Sequence, residues 1–174
     1  MAGPLVRQLW AATTPATPPS AREHILPHGD MHLVIRPSGE SIRLFDQGDR
    51  SPIDLGPAVV GGVRTAYYVK AVPGDVQSVG VAFHPAAAHA LLGCTAEELA
   101  GRHVALDDLW GPRAVANLRE QLQLANSPAA QLDIVERALG ERLRNFRGLH
   151  PAVADVVERF RSITNVAAVV RQTG

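Results

Sequence analysis

The chain has 174 residues, of which 46% are hydrophobic, 20% charged and 5% aromatic, with 17 basic side chains balanced against 17 acidic ones. That is the composition of a soluble globular protein of one domain, or one domain and a small appendage, and its zero formal charge argues against a surface that coats nucleic acid with surplus Lys and Arg. The single Cys, Cys94, excludes an intrachain disulfide and a Cys-rich zinc site, and no apolar run approaches the ~18–20 residues that cross a bilayer, so a cytoplasmic protein with no membrane association is expected.

Ten of the 13 Pro and nine of the 15 Gly fall in residues 1–85, where short β-branched runs alternate with turn residues. This half reads as all-β. Strands are expected over Leu5 to Ala11, Arg22 to Leu26, Met31 to Arg36, Ile42 to Phe45, Ala58 to Val63, Ala66 to Val72 and Val76 to Phe83. They are punctuated by Pro37-Ser38-Gly39, Asp46-Gln47-Gly48-Asp49, Gly56-Pro57 and Pro73-Gly74-Asp75. Thr13 to Ser20 holds three prolines and reads as an extended arm.

From Pro85 the period changes to that of helices. Pro85 at a first turn and Gly93 just past the end frame a helix over Ala86 to Leu92. Thr95-Ala96-Glu97-Glu98 is a capping-box pattern and predicts a short helix to about Ala100. A longer helix from Pro112 to Leu124 places Val115, Leu118 and Leu122 on one face. Ser127-Pro128 starts another, whose apolar stripe is Leu132, Val135, Leu139, Leu143 and Phe146. Gly148 ends it, His150-Pro151 opens the next, and Asn165 is a good N-cap for a last segment running to Gly174. Strands followed by helices give an α+β fold: a compact cupin-like β-barrel with an appended helical layer.

Few residue patterns point to chemistry. Of seven histidines, His24, His28 and His32 surround Pro27-Gly29, which favours a turn. In an extended chain residues four apart lie about 13 Å from each other, so one metal cannot bridge His28 and His32 directly. A metal would instead need His32 with His84 or His89 from a neighbouring strand, and turn, surface or hydrogen-bonded histidines are the plainer reading. Pro37-Ser38-Gly39 is a turn and no nucleophile elbow. Cys94 sits near a helix start that would lower a thiol pKa, although free cysteines more often pack. Gly61-Gly62 lacks the spacing of a phosphate loop and suggests a bulge or a close strand approach. Asp107-Asp108 precede a helix and suit its positive end better than acid–base catalysis. Trp110 beside them reads as a packing anchor. Arg64, at a strand end, is suited to a ligand carboxylate or simply to solvent. The stripe Leu132, Val135, Leu139 and Leu143 fits burial in the core or a helix–helix dimer seam, and periodicity does not separate the two.

Several segments taken together resemble the N-terminal domain of a subgroup of bacterial AraC-type transcriptional regulators. They are Leu26-Pro27-His28-Gly29-Asp30-Met31-His32-Leu33-Val34-Ile35, Val60-Gly61-Gly62-Val63-Arg64-Thr65, Val79-Gly80-Val81-Ala82-Phe83-His84-Pro85-Ala86-Ala87 and Leu106-Asp107-Asp108-Leu109-Trp110-Gly111. The tail, His150-Pro151-Ala152-Val153 through Ile163 and then Asn165 to Gly174, is similar to the opening of that family's DNA-binding half. Gly174 would be the turn glycine of its first helix-turn-helix. The chain departs from the pattern at His32, often acidic there, at Ala86, often glycine, and at Val170, usually alanine.

The resemblance implies a cupin-like domain that senses a small molecule or dimerises, with DNA bound only through the missing C-terminal half. It divides the chain into an N-terminal strand and arm (1–20), the regulatory domain with its helices (21–148) and the beginning of a truncated helix-turn-helix domain (149–174). On this reading the protein is no enzyme, has no cofactor and no resident metal, and forms a homodimer responding to an unidentified effector. The ligand-facing candidates are His32, Arg64, His84 and Trp110, and the dimerisation candidates are Leu132, Val135, Leu139 and Leu143. The competing reading is a metal-dependent cupin-type enzyme using barrel histidines.

Overall fold

Residues 5–15, 18, 21–39, 41–45, 51–72, 74–149, 151, 153–155 and 157 are described by a computed structural model. The chain divides into two compact units, residues 1–144 and 145–174.

In the first unit, nine strands and four α-helices are found among the described residues. The strands are β1 (Val6–Thr14), β2 (Arg22–Ile25), β3 (Met31–Ile35), β4 (Arg43–Phe45), β5 (Ile53–Asp54), β6 (Ala58–Gly61), β7 (Tyr68–Ala71), β8 (Val76–Phe83) and β9 (His103–Ala105). The helices are α1 (Ala88–Leu92), α2 (Leu106–Trp110), α3 (Pro112–Leu124) and α4 (Pro128–Arg142). All pairings are antiparallel, in a five-stranded sheet of order β1-β8-β3-β6-β9 and a four-stranded sheet of order β2-β7-β4-β5.

The fold is therefore α+β, but among the described residues its strands do not close into a barrel. Closure needs a hydrogen-bonded ladder all the way round. The sheets end on β1 and β9 and on β2 and β5, and no ladder among the described residues joins an edge of one sheet to an edge of the other.

Side chains alternate across a strand, and this sorts the five-stranded sheet into two faces. Met31, Leu33, Ile35, Val60, Val79, Val81 and Phe83 are almost completely buried. They are interleaved with His32, Val34, Val59, Ser78 and Ala82, which face the space between the sheets. The helical layer covers the first face: α2 packs on β6 and β9, α4 on β1, and Arg119 of α3 donates from Nε to the Arg36 carbonyl at 2.9 Å. Leu91, Leu106, Val115, Leu122, Val135 and Leu139 fill this layer.

Helix ends follow their local signals. Ser127 Oγ accepts from the Ala130 N–H at 3.2 Å and Pro128 opens α4. Gly93, at φ 80°, closes α1. The expected helix from Ala86 is a 3₁₀ turn over Pro85–Ala87 that passes into α1. The capping box forms, with Thr95 N–H donating to Glu98 Oε2 at 2.7 Å and Glu98 N–H to Thr95 Oγ1 at 3.3 Å, yet only turns follow it. The strand expected to end at Ala11 continues to Thr14, because Ala12, Thr13 and Thr14 pair with Ser78, Gln77 and Val76. Strands β5 and β9 were not expected: two or three residues carry no readable alternation.

Helix α4 stops at Arg142, so Phe146 lies beyond the helical stripe. In the second unit Pro151, residues 153–155 and Val157 are helical. The turn over Asp46 to Asp49, most of the arm after Pro15, and the last segment from Asn165 through Val170 to Gly174 lie outside the described residues. Among the described residues no helix is long and apolar enough to cross a membrane.

Two glycines give opposite expectations. A Cβ on Gly62 would collide with the Leu99 carbonyl, whereas one on Gly140 in α4 meets nothing within 4 Å. Gly62→Ala should cost about 1–3 kcal/mol through forced backbone displacement, and Gly140→Ala should gain up to about 1 kcal/mol from helix propensity. Urea unfolding of the two variants reads both signs.

Candidate functional site

The register of the five-stranded sheet sets Gln8, Ala82, His32, Gly61 and His103 in one row, each paired with the next. The adjacent inward row is Trp10, Gly80, Val34, Val59 and Ala105. Small residues alternate with rings, and the alternation is steric. The Trp10 ring occupies the place of a Cβ on Gly80, and the His32 ring that of a Cβ on Gly61, with His103 Cδ2 2.9 Å from the same point. Gly61 and Gly62 are thus close-approach glycines, one under imidazoles and the other under the Leu99 carbonyl.

Above these rows, between the sheets, lies a cavity of about 540 Å³. Its apolar part is formed by Val34, Ile42, Leu44 and Val59, and its polar end by His28, His32, Tyr68 and His103. The ring centroids of His32 and His103 are 5.4 Å apart, those of Tyr68 and His103 4.4 Å in an edge-to-face arrangement, and those of His28 and His32 6.1 Å. Two ion pairs sit nearby: Lys70 with Glu23 at 2.9 Å and Arg7 with Asp30 at 2.8 Å.

Hydrogen bonding fixes one imidazole tautomer. Arg64 Nη1 lies 3.0 Å from His103 Nδ1. A guanidinium only donates, so Nδ1 accepts and the proton of a neutral His103 is on Nε2. That nitrogen is buried and has no partner, and neither has Arg64 Nε. The Tyr68 hydroxyl lies 3.5 Å from His32 Nε2, and the Arg64 guanidinium sits 5.4 Å from the Tyr68 ring centroid.

Burial dominates the ionisation of all three rings. It pushes His32 down to about 4, helped by the positive fields of His28, Lys70 and Arg64. It pushes His103 down to about 3, with further contributions from His32 and Arg64. Tyr68 is pushed up to about 12, again by burial first. At neutral pH the polar end therefore presents two neutral imidazoles and a protonated phenol. Such imidazoles are poor general bases near pH 7, where an effective base has a pKa close to the working pH. They are well suited to directional hydrogen bonding.

The expected ligand-facing residues separate in space. His32 lines the cavity. Arg64 stands behind His103 and outside the main cavity, neither a free surface arginine nor a direct lining residue. His84 is elsewhere: its Nδ1 accepts from the Ala86 N–H at 3.1 Å and caps the 3₁₀ turn. His89 is exposed on α1. The His32 pairing envisaged for a metal is therefore replaced by neighbours His28 and His103. Among the described residues no group of three or more His, Cys, Asp or Glu has the geometry to hold a metal ion.

Trp110 belongs to the helical layer, where its Nε1 donates to the Leu91 carbonyl at 2.9 Å and Arg142 lies 4.6 Å over its ring. Asp107 and Asp108 are in the first turn of α2 and make no side-chain cap. The Cys94 thiol is raised by burial and by Glu98, opposite to the shift that a helix start would give. On α4, Val135 and Leu139 are buried inside the chain and Leu132 is half-buried, as is Leu143 just past its end.

Trp10, Tyr68, Gly80 and His103 were not singled out from sequence. Gly80, a glycine inside an apolar strand pattern, carried the one usable signal. His103 carried none, since its strand is three residues long.

The sequence profile of DUF6597, a domain of unknown function, matches residues 3–105. The chain belongs to that family. No curated protein matches the sequence. The DUF6597 match spans all nine strands and every cavity-lining residue, Gln8 to His103, and stops where α2 begins. The cavity is thus a feature of the DUF6597 portion itself, and α2–α4 lie outside it.

The neutral imidazoles make stability depend on pH. The unfolded chain takes up protons on both near pH 6.5, the folded chain only near 4 and 3, so the unfolded state binds more protons between those values and stability falls as pH drops through them. From pH 7.5 to 5 the loss should be roughly 2 kcal/mol per imidazole. Urea unfolding at the two pH values should show it, and His32→Gln or His103→Gln should each remove about half of the difference.

Proposed function

We propose that the chain is the regulatory part of an AraC-type transcription regulator: a cupin-like, dimeric domain that senses a small molecule between its sheets and performs no catalysis. The observation that carries this reading is the 540 Å³ cavity, lined from both sheets and of the size of small-molecule sites. The segments that resemble AraC-type regulators support it. Leu26 to Ile35 supplies the rim and β3, Val60 to Thr65 supplies Gly61 and Arg64, and Val79 to Ala87 supplies most of β8. Residues 149–174 would begin the helix-turn-helix half through which DNA is bound.

In this reading β1 carries the signal. Gln8, Trp10, Ala12 and Thr14 face the cavity, while Ala11 and Thr13 lie beside the Ala125–Gln131 segment that starts α4. A ligand that favours one placement of β1 thereby favours one placement of α4, and occupancy shifts the population of arrangements available to the DNA-reading half.

Two measurements test it on the 174-residue chain. A small-molecule panel should contain compounds that raise the melting temperature, because binding to the native state alone adds stability. Ala82→Phe, which fills the cavity beside His32, should abolish those shifts while circular dichroism stays native. In gel-shift assays at physiological salt the same chain should bind DNA only non-specifically. A tight, sequence-specific shift by residues 1–174 would overturn the proposal.

A further inference from the structure

We propose that the histidine end of the cavity is an anion subsite that takes the carboxylate of a small organic acid and takes up a proton with it. The inference rests on the reading of the cavity as a sensing site and names the chemistry of its effector.

The first argument is the kind of hydrogen bond left unmade. Arg64 Nε and His103 Nε2 are both buried without a partner, and both are donors, the second because Arg64 occupies Nδ1. An unmade buried donor costs about 1–3 kcal/mol, and more when charged. Asp30 Oδ1, the carboxylate oxygen beside them, is engaged by Arg7 at 2.8 Å, which leaves two donors unmet, and a carboxylate is a group that only accepts.

The second argument is charge. Glu23 is engaged by Lys70 and Asp30 by Arg7, so among the described residues the Arg64 guanidinium has no carboxylate partner. A small notch beside Arg64, bordered by Leu26, Pro27 and Gly62, shares His28, Asp30, His32 and Tyr68 with the main cavity. A carboxylate received by His103 Nε2 would feel the Arg64 charge through the Nη1–Nδ1 bond, while its apolar body rests against Trp10, Val34, Leu44 and Val59. Arg64 is then a positioning residue, since it acts through His103.

The proton follows from the surroundings of the imidazoles. His32 and His103 are faced by Arg64 from the β6–β7 loop, Lys70 and Tyr68 from β7, Glu23 from β2, and His28 and Asp30 from the loop before β3. Burial and the cations among these keep both rings neutral. An anion placed against them offsets that field and raises the proton affinity of His32, the ring that no guanidinium holds in one tautomer, so binding and protonation favour each other.

Calorimetry of the full chain with phenylacetate and phenylacetamide, which share a ring and differ in charge, decides the matter. At pH 5.5 phenylacetate should bind at least about tenfold tighter than the amide, as a charge-assisted bond implies. Its affinity should fall by about tenfold or more towards pH 7.5, and the buffer dependence of the heat should report uptake of about one proton. Arg64→Gln should remove that preference, and Arg64→Lys should restore part of it. His32→Asn should abolish the proton uptake, because both nitrogens of His103 are engaged once the carboxylate is bound, and His103→Asn, a second variant should Arg64→Gln fold poorly, should remove the acid preference.

Equal binding of the amide, or acid binding without proton uptake, overturns the anion subsite and leaves a sensing cavity standing. Binding of neither compound also overturns it. The sensing role then stands or falls separately, on the ligand panel and the Ala82→Phe variant.

Discussion

Gly61 and Gly80 stand in neighbouring inward rows of the five-stranded sheet, and on both the missing Cβ is replaced by a ring from the adjacent strand: His32 over Gly61 and Trp10 over Gly80. Each ring takes up the space that a Cβ would fill and lines the cavity between the sheets. Interiors normally pack close to crystal density. A cavity of about 540 Å³ in so small a unit has to be built by the sequence, and these glycines, with Ala82 beside them, build it. The same packing strips water from the imidazoles and makes them neutral.

The opposite face of that sheet is equally constrained, and its residues account for the fold's cohesion. Met31, Leu33 and Ile35 alternate with His32 and Val34 along a single strand, so a one-residue slip of β3 would exchange the buried apolar row for the row that carries His32. The helical layer fixes the register by burying the apolar row, and the cavity-facing row inherits its placement. The polar end of the cavity is positioned by packing on the far side of the sheet, which is why a site built from strands too short to hold themselves can still be well defined.

Much of this was legible in the sequence. Alternation in Met31 to Ile35 and Val76 to Phe83, the apolar face of Pro112 to Leu124, and the Ser127-Pro128 helix start all rest on local periodicity or capping, which a single sequence displays. What it hid depends on register. His32 and His103 are 71 positions apart and meet only because both pair with Gly61. His84 was a candidate partner of His32 for a metal, but it caps a turn beyond the end of β8. Arg64 was read as facing a ligand carboxylate or solvent, while its partner could not be found, since β9 has no period to read. Barrel closure failed for a related reason: the presence of strands is visible in sequence, whereas the length of the edge ladder that would join two sheets is not.

The energetic consequence of the site is a tension that the isolated chain sustains. Two imidazoles are held neutral well below their ordinary range, and a guanidinium and an imidazole each keep a buried donor unmet. Natural cores retain such groups when something else compensates for them, because every unmet polar group subtracts from a net stability of only about 5–15 kcal/mol. The two unmet donors of Arg64 and His103 stand side by side, apart from the apolar wall of Val34, Ile42, Leu44 and Val59. On the proposed anion subsite, an acceptor delivered there from outside would relieve this tension, and only in the bound state. Unmade hydrogen bonds would then become differential affinity for an occupied arrangement of the sheets, which is the physical requirement for any molecule that reports the presence of a ligand.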